Sequence, residues 1–157
     1  MIVAALVLLS RRMADGPAAE WSTLGMAGAV ASLGMASALQ AVDGVALKVM
    51  VDSWAAAPDP ERTALFHAAF GVRQIERGLA SITSVLFGLT ISIYGIGLLI
   101  DRRLPRWIGA FAIANGAPIV IAGVVIAYTG FSHLAMLIYV PTSSLLVLSM
   151  IILGAYI

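Results

Sequence analysis

Apolar residues come in long blocks, broken by short polar stretches, and the block lengths are those of helices that cross a bilayer. About 20 apolar residues at helical rise span a hydrocarbon core of roughly 30 Å. On that measure the pattern predicts an all-α fold, with helices over residues 1–10, 21–54, 61–100, 107–128 and 134–157. The last four are long enough to cross. The first reaches only about half the distance, so the expected architecture is a transmembrane helical bundle of four full spans and one partial N-terminal span. The basic residues Arg11 and Arg12 follow the first apolar run, whereas a signal peptide carries its basic residues ahead of that run. The run is therefore read as the second half of a spanning helix, and the chain as a fragment of a longer one.

One stretch departs from the apolar pattern. Residues 42–77 carry more than half of the charged side chains, yet nothing breaks the helix between Ala41 and Trp54. The segment AAAPDP at residues 55–60 does break it, because proline lacks the N–H and clashes inside a helix. Both arms then overshoot the bilayer on one side, by about 18 Å each at helical rise. The expectation is a helical hairpin over residues 42–77 that protrudes from the membrane.

Composition agrees with a single transmembrane domain. The chain is 61% hydrophobic and 11% charged, with a mean hydropathy of +1.02, against about 25% charged residues in soluble domains. A net charge of +1 without a basic face gives no footprint for nucleic acid. Cysteine is absent, which closes off disulfides, thiolate zinc sites and iron–sulfur clusters. No phosphate loop, HExxH or GxSxG pattern occurs, so neither an enzymatic activity nor a cofactor is expected.

Loop charge sets the orientation. Arg11, Arg12, Arg102, Arg103 and Arg106 fall in residues 11–20 and 101–106, whereas the alternate loops hold Arg62 with Asp59 and Glu61. The positive-inside rule puts the two arginine-rich loops in the cytoplasm and the hairpin on the extracytoplasmic side of the cell membrane.

Several polar groups are candidate site residues. Folding the hairpin about AAAPDP sets Asp43 level with Arg73, Gln40 with Glu76, and Lys48 near His67, with Lys48 and Asp52 one turn apart. An interhelical Asp43–Arg73 ion pair is expected. It serves either as a clasp fixing hairpin register or as part of a ligand site lined by Asp43, Lys48, Arg73 and Glu76. His67 and His133 are the weak candidates for haem or metal ligation, since neither has a second ligand one turn away. Within the fourth segment, Asn115 and Pro118 interrupt the apolar run. Asn115 needs a partner in lipid, and antiparallel counting brings Tyr94 and Ser144 to similar depth, a candidate mid-membrane pocket.

Small residues recur at intervals of seven. Ala27, Gly34 and Ala41 form one stripe, Ser81, Gly88 and Gly95 a second, and Gly109, Gly116 and Gly123 a third. Such stripes let helix backbones approach closely. The second and third predict that their helices are antiparallel neighbours. The segments AVDGVALKVMVDSWAAAP, RRLPRWIGAFAIANG and AYTGFS resemble those of small bacterial multipass membrane proteins of unknown function, which implies a helical bundle and no activity. The functional expectation is a non-enzymatic membrane-complex subunit or interaction module, partnered by the lipid bilayer and by another membrane protein or a second copy through its Gly/Ala faces. The alternatives are a carrier or sensor of a small lipophilic ligand and, after it, a haem-binding electron carrier.

Overall fold

The computed structural model describes residues 2–101 and 103–156, with the side chains of all of these except residues 2, 150, 153, 155 and 156. Every regular element among them is helical: α1 (Ile2–Met13), α2 (Ala19–Ala41), a π-helical turn (Val42–Leu47), α3 (Lys48–Ala56), α4 (Asp59–Asp101), α5 (Arg106–Thr129) and α6 (His133–Tyr156). The expected helix boundaries hold to within three residues. Three helical stretches, Ala19–Ala56, Asp59–Asp101 and Arg106–Thr129, are long and apolar enough to cross a membrane, and α6 adds a shorter apolar stretch over His133–Ser149.

Helix 2 passes through the π turn into α3 with helical backbone at both joins, Val42 and Lys48. A π turn accommodates an extra residue and widens the helix locally. Ala57 then turns extended, with φ −72° and ψ 142°, as the residue before a proline does. Asp59 and Glu61 lie in the first turn of α4, where the helix dipole favours carboxylates. Helices 5 and 6 continue through Pro118 and Pro141.

The long α4 is the spine, with its largest interface on α5 and its second on α2; α6 packs on α5 and α1 on α2. The two predicted glycine stripes meet face to face. A methyl group at Gly88 would lie 2.6 Å from the Gly116 carbonyl oxygen, and one at Gly109 would lie 2.7 Å from that of Gly95. Only glycine permits so close a backbone approach. On the other side of α4, Gly25 lies against the Tyr94 ring and Gly28 against Thr90.

Helix 1 is locked into this core. Leu6, Leu9 and Met13 are fully buried with Ile91, Tyr94 and Leu98. The Tyr94 hydroxyl is 2.6 Å from Ser10 Oγ and donates to the Leu6 carbonyl at 3.1 Å, while Ser22 Oγ donates to the Ser10 carbonyl at 2.7 Å. The turns sort to two ends. At one end Arg103 donates to the carbonyl oxygens of Arg12 and Asp15, tying the α1–α2 and α4–α5 turns together. At the other, the Arg77 guanidinium lies against Gly130, the α5–α6 turn residue with φ +67°.

Candidate functional site: a groove between α2 and α6

Helices 2 and 6 flank the α4–α5 pair, α2 on α4 and α6 on α5, and a groove runs between them. Its deeper part, about 280 Å³, is walled by Leu33 and Ala36 of α2, Phe87 of α4, Ile119 of α5 and Leu146 of α6, and Val3 of α1 also contributes. Its upper part, about 520 Å³, holds Asp43, Arg73 and Glu76 beside Leu39, Phe131 and Tyr139. Thr83, Ser84 and Tyr139 line both parts, so the two adjoin. The result is one apolar trough with a charged mouth.

The mouth is built on the first half of α4. Glu76 is buried, 4% exposed, and pairs with Arg73 one turn earlier on the same helix. The Arg73 guanidinium also lies over the Phe131 ring, 4.9 Å from its centre, a cation–π contact. Asp43, at the start of the π turn, is exposed and makes no ion pair among the described residues. The expected Asp43–Arg73 ion pair is therefore replaced by Arg73–Glu76. Hairpin register explains the change. Trp54 meets Phe66 with ring centres 6.1 Å apart, and Leu47 shares a cleft with Arg73, so Asp43 falls one turn beyond Arg73. A partner three residues away on the same helix is always within reach.

The other expected groupings also change. Lys48 is exposed, pairs with Asp52 on its own helix and does not line the mouth. Tyr94, Asn115 and Ser144 do not share a pocket. Tyr94 bonds to α1, while Asn115 donates to its own Phe111 carbonyl at 2.9 Å and to Ser149 Oγ at 3.3 Å. Ser144 is exposed and donates to the Val140 carbonyl at 3.0 Å. Helix rotation is the cause. With Gly109, Gly116 and Gly123 facing α4, the residue before Gly116 is turned by about 100° towards α6. Likewise the packing of Gly95 of α4 against α5 turns Tyr94, on the same helix, towards α1. A cavity of about 30 Å³ does adjoin Tyr94, Phe111 and Ser149, but it holds at most a water.

His67 lies edge-on to Phe66, with ring centres 5.8 Å apart, and His133 opens α6; both are exposed. No group of three or more His, Cys, Asp or Glu side chains among the described residues could hold a metal ion. Gly116 and Gly123 pack inside the bundle against α4 and so are not available as a Gly/Ala face for a partner. The α2 stripe behaves otherwise: Ala27, Gly34 and Ala41 are exposed, and a methyl group at Gly34 would meet nothing within 4 Å.

Sequence reasoning missed Ser32, Thr83 and Tyr139 as site residues. Their signal is weak, because hydroxyls in apolar helices usually bond back to the carbonyl four residues earlier. Ser37, Ser84 and Thr90 do so here. The Ser32 and Thr83 hydroxyls are buried without a hydrogen-bond partner among the described residues, and both residues line the groove. Compared with protein-family models, with curated proteins and with solved structures, the chain matches none.

Proposed function

We propose that this chain is a non-enzymatic integral membrane protein, a carrier or sensor that binds a small amphiphilic molecule in the α2–α6 groove. In this reading α2, α4, α5 and α6 cross the cell membrane and α1 crosses part of it. Residues 11–20 and 101–106 are cytoplasmic, and the hairpin over residues 42–77 is extracytoplasmic. The observation that carries the reading is an apolar trough adjoining a charged mouth. An apolar ligand body is accommodated by Leu33, Phe87, Ile119 and Leu146, and a polar end by Asp43, Arg73 and Glu76. Binding sites of this kind are mostly apolar with a few placed polar groups.

The test is extraction in a mild uncharged detergent followed by mass spectrometry of the retained small molecules. About one amphiphile per chain is expected, and it should be lost from Ala36→Phe, which fills the trough. Retention of the same molecule by a well-folded Ala36→Phe protein would refute the assignment.

A second reading, an interaction module within a membrane complex or between two copies, is favoured by the exposed Ala27, Gly34 and Ala41 stripe on α2. Small residues on a lipid-facing helix permit a second helix to approach. Under this reading Gly34→Leu shifts native-gel mobility towards the monomer, and unchanged mobility removes it.

A further inference from the structure

We infer that the groove takes a zwitterionic phospholipid with an ammonium head group, drawn sideways from the bilayer; this rests on the groove reading above. Three features of the site point to that chemistry. The first is charge. Glu76 is already neutralised by Arg73, which leaves the Asp43 carboxylate as the uncompensated charge of the mouth. An ammonium group complements it, and Tyr139 adds an aromatic ring of the kind that receives cations, the Phe131 ring being taken by Arg73.

The second is donor capacity. A guanidinium has five N–H donors, and Glu76 accepts from Nη1 of Arg73, whose side chain is 43% exposed. The remaining donors suit a phosphate oxygen next to the ammonium.

The third is the pair of unpartnered hydroxyls. Ser32 is 4% exposed and its oxygen has no hydrogen-bond partner among the described residues; the Thr83 hydroxyl likewise has none. Both line the trough, Ser32 from α2 and Thr83 from its packed neighbour α4, and Thr83 also reaches the mouth. Buried hydroxyls are normally satisfied; both side chains line the groove, and a change of χ1 rotamer turns either hydroxyl to an acceptor supplied by the occupant. Thr83 lies seven residues below Glu76 on α4, about 10 Å at helical rise. Carbonyl oxygens of ester-linked chains supply acceptors at that level, and the chain continues past Phe87 and Ile119. The gap between α2 and α6 gives a lipid a side entrance to the groove from the bilayer.

The experiment is native mass spectrometry of the full chain in an uncharged maltoside detergent. It is titrated separately with an ethanolamine phospholipid, a glycerol phospholipid and a diacylglycerol carrying identical acyl chains. The ethanolamine lipid is expected to bind at least about tenfold tighter than either of the others. Asp43→Asn should bring it to within about threefold of the glycerol phospholipid. Thr83→Val should weaken all three without changing their order. Equal binding of the two phospholipids, preference for the anionic one, or an unchanged preference in Asp43→Asn overturns the head-group inference while leaving the groove intact. Unchanged binding of all three lipids to Ala36→Phe, with wild-type helix content by circular dichroism, shows that they bind elsewhere and overturns the groove itself.

Discussion

At the residue scale, the same amino acid has opposite consequences according to what faces it. Gly88 has no room for a methyl group, since two of the obstacles, the Gly116 carbonyl and the Val120 backbone nitrogen, are backbone and cannot swing aside as the third, the Val120 side chain, does in part. Gly88→Ala must therefore separate α4 from α5, with a cost of about 1–3 kcal/mol, as for other overpacked sites. Gly34 has only open space around it. Gly34→Ala removes backbone freedom from a helix interior and should stabilise by up to about 1 kcal/mol. Thermal unfolding in detergent, followed by circular dichroism, checks both at once. A melting temperature that falls for Gly88→Ala and holds or rises for Gly34→Ala is the expected pair of outcomes, and the reverse order contradicts the packing described. Intervals of seven made all three stripes legible in the sequence. They carried no information on which stripe finds a partner inside the chain, because that depends on which helices become neighbours.

Helices behave as rotating units, and at their scale a side chain's partner follows from the face its helix commits to packing. Once α5 turns its glycines onto α4, Asn115 reaches Ser149 of α6 and not Tyr94. Depth was readable by counting residues from the polar breaks; azimuth was not, since it is set by the closest approach of two backbones. The π turn is the other element-scale device. It takes up one extra residue at Asp43, beside the groove mouth, and so keeps α2 and α3 in phase. A second extra residue, an alanine inserted after Gly44, should rotate α3 by about 100° against α2. The Trp54–Phe66 contact would then be lost, while the α4–α5 interface would be unaffected. Limited proteolysis is expected to cut residues 55–60 faster in the insertion variant at unchanged melting temperature. Equal cleavage rates would mean that the phase at the π turn does not position α3.

For the whole molecule, the alternation of turns between two ends is a constraint independent of any membrane. Arg103 joins the α1–α2 turn to the α4–α5 turn, and Arg77 sits against the α5–α6 turn at the opposite end. The proposed orientation assigns the first end to the cytoplasm. The chain has no cysteine, so single introduced thiols report cleanly on sidedness. Ala57→Cys should react with a membrane-impermeant maleimide in intact bacterial cells, and Asp15→Cys only after permeabilisation. The opposite pattern inverts the topology, and labelling of both in intact cells rules out the span count.

By itself, the sequence determined the helical class, the helix boundaries and the antiparallel meeting of α4 with α5. Each follows from local chemistry: apolar block length, prolines and glycines at turns, and small residues at a fixed period. Tertiary structure alone decided that Arg73 pairs with Glu76 and not with Asp43, that Tyr94 and Asn115 look away from each other, and that a groove runs between α2 and α6. These outcomes depend on helix rotation and on hairpin register. Both are fixed by contacts between residues far apart in the chain, and a shift of one turn exchanges one plausible partner for another without disturbing the hydrophobic pattern. The groove belongs to this second kind. Its walls come from five helices, and no single segment announces a space left between two of them.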